Sequence, residues 1–210
     1  EIDFTPPDFF ESLGIDWIAG KATTRLHCEE ERIELDDGTL IPYDRLLICS
    51  GAYYLVPPVP GLREAGNVYG FRDLSDAEAI KNAAGPGMKA VIIGSGLVGM
   101  DAAYALLEKG ISPVIVEMAD RILPLQLDGL AAAEYQKLFE THGCRFRLPA
   151  KASGTRLDAD GNARALILDT GEELECDFII VAAGVRPEIR FLENSRVGTG
   201  RAITVNQYME

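Results

Sequence analysis

The stretch Ala90-Val91-Ile92-Ile93-Gly94-Ser95-Gly96-Leu97-Val98-Gly99 decides how the rest of this 210-residue sequence is read. Four apolar, mostly β-branched residues run into G-x-G-x-x-G, and helix formers from Met100 to Lys109 follow. An unbroken apolar run of that length suits a strand buried on both faces of a parallel sheet. Gly110 stops the helix, and Pro113-Val114-Ile115-Val116 supplies a second buried strand that ends in the acid Glu117. Strand, glycine loop, helix, strand and acid, in that order, predict a Rossmann-type βαβ unit that holds a dinucleotide.

Each residue of that loop has a physical reason. Gly94 permits the tight turn out of the strand, Gly96 lacks the Cβ that would block a pyrophosphate, and Gly99 lets the helix pack against the sheet. Ser95 belongs to the same loop, and the backbone N–H groups around Leu97 and Val98 supply donors at the positive end of the helix dipole. Glu117 is expected to accept hydrogen bonds from the adenosine ribose and to repel a 2′-phosphate, which favours NAD(H) over NADP(H). Arg121, four residues on, is the basic residue that an NADP reading would use; a solvated strand end is the plainer reading of Glu117.

Outward from the loop, two stretches say nearly the same thing. Phe10-Glu11-Ser12-Leu13-Gly14 echoes Phe139-Glu140-Thr141-His142-Gly143, at an offset of 129 positions. Asp36-Asp37-Gly38 through Asp44 to Gly51 echoes Asp169-Thr170-Gly171 through Asp177 to Gly184, at an offset of 133. Each copy reads as a helix end, short strands punctuated by turns at Asp37-Gly38, Asp160-Gly161 and Thr170-Gly171, and a final buried strand. Those last strands are Leu46-Leu47-Ile48-Cys49 and Phe178-Ile179-Ile180-Val181. The second copy is preceded by the nucleotide loop; the first has only nine residues ahead of it. Between them Pro57-Pro58-Val59-Pro60-Gly61 excludes helix and central strand. A helix over residues 73–84 follows, opened by a capping box at Ser75-Asp76-Ala77-Glu78. The expected fold is α/β: a Rossmann-type parallel sheet flanked by helices, with an antiparallel meander packed on it.

Composition excludes several classes. A net charge of −13 opposes binding to nucleic acid and to acidic lipid. No run of about 20 apolar residues is present, and no secretory leader is read, so a soluble, cytoplasmic chain is expected. The four cysteines (Cys28, Cys49, Cys144, Cys176) form no C-x-x-C, and the two histidines (His27, His142) stand in no metal spacing. No metal site and no protein acid, base or nucleophile is expected.

With these passages the sequence resembles the FAD- and NAD(P)-dependent pyridine nucleotide oxidoreductases, which include NADH oxidases, ferredoxin reductases, nitrite reductase flavoproteins and disulfide reductases. The resemblance rests on Tyr43-Asp44-Arg45-Leu46-Leu47-Ile48-Cys49-Ser50-Gly51-Ala52, the nucleotide loop with its helix, Asp177 through Gly184-Val185-Arg186-Pro187, and Ile203-Thr204-Val205-Asn206. It implies an NAD(H) domain over residues 73–187, inserted into a split FAD domain of which residues 1–72 and 188–210 are parts. It implies hydride transfer from NADH to flavin and on to an acceptor that the sequence leaves open. The family's own FAD glycine loop and its C-terminal Gly-Asp are not found, so FAD is expected in the full-length parent and absent from this chain.

The resemblance also implies a backbone approach of Gly184 to the nicotinamide. It suggests a contact from Asp101 to the carboxamide, where the family commonly has the longer Glu; complementing the helix dipole is the other reading of Asp101. Self-association through apolar surface near Leu46, Leu47 and Ile48 is expected. A stand-alone NAD-binding or sensing module remains the alternative, with a methyl transferase on the same loop a distant third.

Overall fold

The computed structural model describes residues 5–210. Contacts divide the chain into two compact units, Glu1–Gly51 with Pro187–Glu210, and Ala52–Arg186. In the smaller unit, helix α1 (Phe9–Ser12) precedes strands β1 (Thr23–His27), β2 (Arg32–Leu35) and β3 (Leu40–Pro42), which pair as one antiparallel sheet. Leu26 of β1 packs with Phe191 and Leu192 of a 3-10 turn at Arg190–Leu192 to form this unit's small core.

The larger unit opens with strands β4 (Ala52–Tyr54) and β5 (Val68–Tyr69), helix α2 (Leu74–Ala83) and strand β6 (Ala90–Ile93). Helix α3 (Leu97–Glu108), strand β7 (Val114–Val116), helix α4 (Gly129–Thr141) and strand β8 (Arg145–Arg147) come next. The meander β9 (Ala152–Leu157), β10 (Ala163–Leu168), β11 (Glu173–Glu175) then leads into β12 (Phe178–Val181) and β13 (Val185–Pro187). Five strands form a parallel sheet in the order β5-β12-β6-β7-β8, and β4 pairs with β13. The fold is α/β.

Side-chain alternation sorts the two faces of the parallel sheet. Ala90, Ile92, Ile115, Phe178 and Ile180 pack with Ile80 of α2, Met100, Ala103 and Leu106 of α3, and Phe139 of α4. Their neighbours Val91, Ile93, Val114, Val116, Ile179 and Val181 pack instead with Leu166, Leu168 and Leu174 of the meander. Helices therefore cover one face and the meander the other. That is why β6 and β12 are apolar at every position. Full burial of each such aliphatic side chain contributes roughly 1.5–3 kcal/mol.

The helix ends and the short strands of the internal repeat make matching hydrogen bonds in the two units. Helix α1 ends with Ile15 N–H donating to Phe10 O and Gly14 N–H to Glu11 O; α4 ends with Cys144 N–H donating to Phe139 O and Gly143 N–H to Glu140 O. Both are Schellman endings with glycine in the left-handed region, φ +64° at Gly14 and +96° at Gly143. Strand register matches as well, Ile33 opposite Ile41 in one copy and Leu166 opposite Leu174 in the other. Tyr43 N–H donates to Glu31 O, and Cys176 N–H to Arg164 O, each pair 133 positions from its counterpart.

Three expectations meet a different structure. Residues 46–49 form no strand, and Leu47 is 85% exposed, whereas its counterpart Ile180 is buried in β12. The difference is one of partners: β12 is flanked by β5 and β6, and no described strand flanks 46–49. Helix α2 starts at Leu74 with Asp73 as N-cap. Asp73 accepts from Asp76 N–H at 3.0 Å, and the Asp76 carboxylate accepts from Asp73 N–H, so the capping box lies two residues before Ser75. Ser75 instead donates to Asp73. The units part at Gly51–Ala52, upstream of residue 72, because β5 joins the parallel sheet of the larger unit. No helix among the described residues is long and apolar enough to cross a membrane.

Asn67 closes the top of this arrangement. Its side-chain oxygen accepts from Ala163 N–H at 2.7 Å, and its amide donates to Ala163 O at 2.9 Å and Asp177 O at 2.6 Å. One side chain thus supplies the donor and acceptor that a neighbouring strand would supply. Asn67→Ala would strand buried backbone groups, at a cost of about 1–3 kcal/mol for each unmet group. A urea midpoint lowered to match about 3 kcal/mol in total is expected; an unchanged midpoint would show that water replaces the clamp.

Candidate functional site

The site grows from the carboxyl ends of three parallel strands. Strand β6 runs into Gly94, β7 into Glu117, and β12 into 182–184, and these line a cavity of about 820 Å3 within the larger unit. Gly96, Leu97 and Val98 at the start of α3 line it too, with Pro57, Pro58 and Val59 of the connector and 124–126 of the loop after β7. That volume falls in the range of about 300–1,000 Å3 common for small-molecule and cofactor pockets. Its place, beyond the carboxyl edge of an open α/β sheet, is where such folds bind ligands.

The glycine loop is locally forced. Gly94 has φ +104°, and a Cβ there would stand 2.5 Å from Ala182 O. At Gly99 a Cβ would stand 2.0 Å from Gly94 O, so α3 starts closer to the strand than any side chain allows. At Gly96 nothing lies within 4 Å of a Cβ position, which leaves open space at the helix entrance. Gly96 is also the N-cap of α3 and brings no side chain to it. The first-turn N–H groups of an α-helix have no intrahelical acceptor, so Leu97 and Val98 hold donors there.

Ser95 is fully buried behind the loop. Its N–H and its Oγ–H both donate to Glu117 Oε2 at 2.9 Å, and its carbonyl accepts from Leu123 N–H at 3.0 Å. Glu117 Oε1 accepts from Ala119 N–H at 2.8 Å. The carboxylate therefore meets three protein donors and keeps acceptor capacity on Oε1, since a carboxylate has about four acceptor positions. Glu117 serves as the anchor of the glycine loop, a role absent from the sequence reading.

Of the residues singled out from sequence, Gly94, Gly96, Leu97, Val98, Glu117 and Gly184 line one cavity. Ser95 and Gly99 stand behind it, and Asp101 is exposed on α3 and is not among the lining residues. Gly184 has φ +98° and its carbonyl accepts from Leu55 N–H at 2.9 Å. Sequence reading missed the walls: Pro57, Pro58, Val59, Phe71, Arg72, Ala150, Lys151 and residues 124–126. The prolines were legible as irregular chain, but nothing in their spacing tied them to the loop. Burial pushes the Cys144 thiol up to about 12 and the Cys176 thiol up to about 11, so both stay protonated at neutral pH. Among the described residues no group of three His, Cys, Asp or Glu could hold a metal.

The sequence pattern of the family described as pyridine nucleotide-disulphide oxidoreductase matches residues 9–210. The chain is 32% identical over 203 residues to the epsilon subunit of NADH-dependent phenylglyoxylate dehydrogenase of Aromatoleum evansii, covering 97% of this chain and 48% of that protein. It is 29% identical to rhodocoxin reductase of Rhodococcus erythropolis, covering 97% and 47%. A ferredoxin reductase structure from Rhodopseudomonas palustris superposes with a TM-score of 0.89 at 24% identity, over 97% of this chain and 50% of that one, and supports the fold. The chain spans about half the length of these relatives.

The two tight glycines and the open one separate folding from binding. Gly99→Ala is expected to destabilise by about 1–3 kcal/mol or more through overpacking. Gly96→Val is expected to keep a native circular dichroism spectrum while losing the dinucleotide binding that the sequence leads one to expect, because its side chain enters empty space. Retained binding by Gly96→Val would remove the loop from the site.

Proposed function

We propose a function from one premise: the chain belongs to the pyridine nucleotide-disulphide oxidoreductase family. On this reading the cavity of the larger unit holds NAD(H), and the whole protein passes a hydride from NADH to a flavin and on to an acceptor. One observation carries it: an uncapped helix N-terminus, an open glycine and an acid at the next strand end line a single cavity. That donor set fits a pyrophosphate beside a ribose. When bound, the nicotinamide supplies the hydride chemistry.

The chain's own residues bind and orient. Leu97 and Val98 N–H groups take the pyrophosphate, Glu117 Oε1 takes one ribose hydroxyl, and Gly184 gives the nicotinamide a close backbone approach. Asp101, exposed on α3 and outside the lining residues, is left with its other reading, complementing the helix dipole. Arg121 donates to Leu127 O and Pro124 O and pairs with Asp120, so its guanidinium is engaged within its own loop. This supports NADH over NADPH as the substrate.

The smaller unit is assigned to part of an FAD domain. The repeat supports it: in a cavity of about 700 Å3 the lining residues Ala22, Thr23 and 48–50 are the counterparts, position for position, of Lys151, Ala152 and 181–183 in the cavity of the larger unit. Its described helices are the four-residue α1 and one 3-10 turn, which offer no glycine loop at a long helix.

Two outcomes follow. Calorimetric titration should show NADH bound more tightly than NADPH. Glu117→Ala should weaken both and narrow the preference by about 1–2 kcal/mol, the scale of a charge-assisted bond lost; equal wild-type affinities would overturn the assignment of Glu117. The 210-residue chain, purified, should be colourless and unable to oxidise NADH with a dye acceptor. A flavin band near stoichiometric occupancy would show that the smaller unit holds FAD without a glycine loop of its own.

A further inference from the structure

The loop after β7 has an unusual construction. It leaves the cavity at Met118, dives into the core at Ile122 and Leu123, and returns to the cavity at residues 124–126. Leu123 takes φ +47°, in the left-handed region that disfavours a side chain. Three sets of bonds hold it there. Leu123 N–H donates to Ser95 O at 3.0 Å, and Leu123 O accepts from Gln126 and Leu127 N–H at 2.9 Å. Arg121 then closes the loop on itself, Nη2 donating to Pro124 O at 3.2 Å and Nε to Leu127 O at 3.3 Å. Two large apolar side chains are thereby held out at the cavity, Met118 70% exposed and Leu125 91% exposed.

We propose that Arg121 is a positioning residue for the dinucleotide, a strut that keeps the 118–127 loop folded as the cavity wall against which the adenosine half packs. This deepens the NAD(H) reading and rests on it. A guanidinium suits the task because its fixed fork reaches two carbonyls at once, which an ammonium on a flexible stem does less well. The strut is tied, through Leu123 and Ser95, to the same carboxylate that anchors the glycine loop. Loop and wall then move together. Arg121 therefore sets how tightly both nucleotides bind, and leaves the choice between them to Glu117.

The test uses the full chain with Arg121→Met, which keeps length and removes the donors, and Arg121→Lys, which restores one donor centre. NADH and NADPH affinities are measured by calorimetry, and exchange of the Gln126 and Leu127 amides by NMR. Arg121→Met is expected to weaken both nucleotides by on the order of ten-fold at a constant ratio, the equivalent of about 1.4 kcal/mol. Those two amides should exchange faster, and Arg121→Lys should recover part of each loss. A selective loss of NADPH would overturn the proposal and assign Arg121 to a 2′-phosphate. Unchanged affinities with unchanged exchange would show that the loop holds itself. A wild-type chain that binds neither nucleotide would overturn the NAD(H) reading as well, whatever the exchange data show.

Discussion

Ser95 is the point on which the larger unit depends. A buried serine has to satisfy its N–H, its hydroxyl and its carbonyl inside the protein, and an unmet group costs about 1–3 kcal/mol. Here Glu117 takes both donors and Leu123 supplies the acceptor's partner. The glycine loop is thereby fixed both to the end of β7 and to the loop beyond it. The carboxylate that looks from sequence like a ligand contact is first a structural anchor. Both uses are compatible because one of its oxygens carries a single protein donor.

Around that anchor, sheet geometry does the rest. Strands β6, β7 and β12 are neighbours in register, so Gly94, Glu117 and Ala182 end at one edge. The two faces of the sheet are filled by different material, helices on one and the meander on the other. The carboxyl edge opens instead on the cavity. Gly94 and Gly99 are consumed by close packing, and Gly96 alone faces empty space. A single G-x-G-x-x-G thus contains two glycines for the fold and one for the cavity.

Much of this was legible in the residues. The all-apolar runs at 90–93 and 178–181 are buried strands because they are covered on both sides, and Gly14, Gly110 and Gly143 end α1, α3 and α4 by taking positive φ. The repeat was legible as similarity and is structural down to single hydrogen bonds. Residues 46–49 are apolar at every position, as β12 is, and still form no strand, since a strand is a property of a pair and composition records only one partner. The helix over 73–84 was legible, but its capping box was misplaced because Asp73, Ser75 and Asp76 all have capping chemistry, and only the geometry chooses among them. The cavity walls at 57–59 and 124–126 carry no motif. They are apolar or irregular segments brought to the site by tertiary packing, which no local pattern encodes.

The larger unit as a dinucleotide site is tested most directly by NMR of the amide-labelled chain titrated with NADH. Saturation should shift the amides of Gly96, Leu97, Val98 and Gly184 together, with one affinity. The amides of β1, β2 and β3 should stay where they are. Shifts confined to those three strands, with the glycine loop unmoved, would contradict the assignment outright.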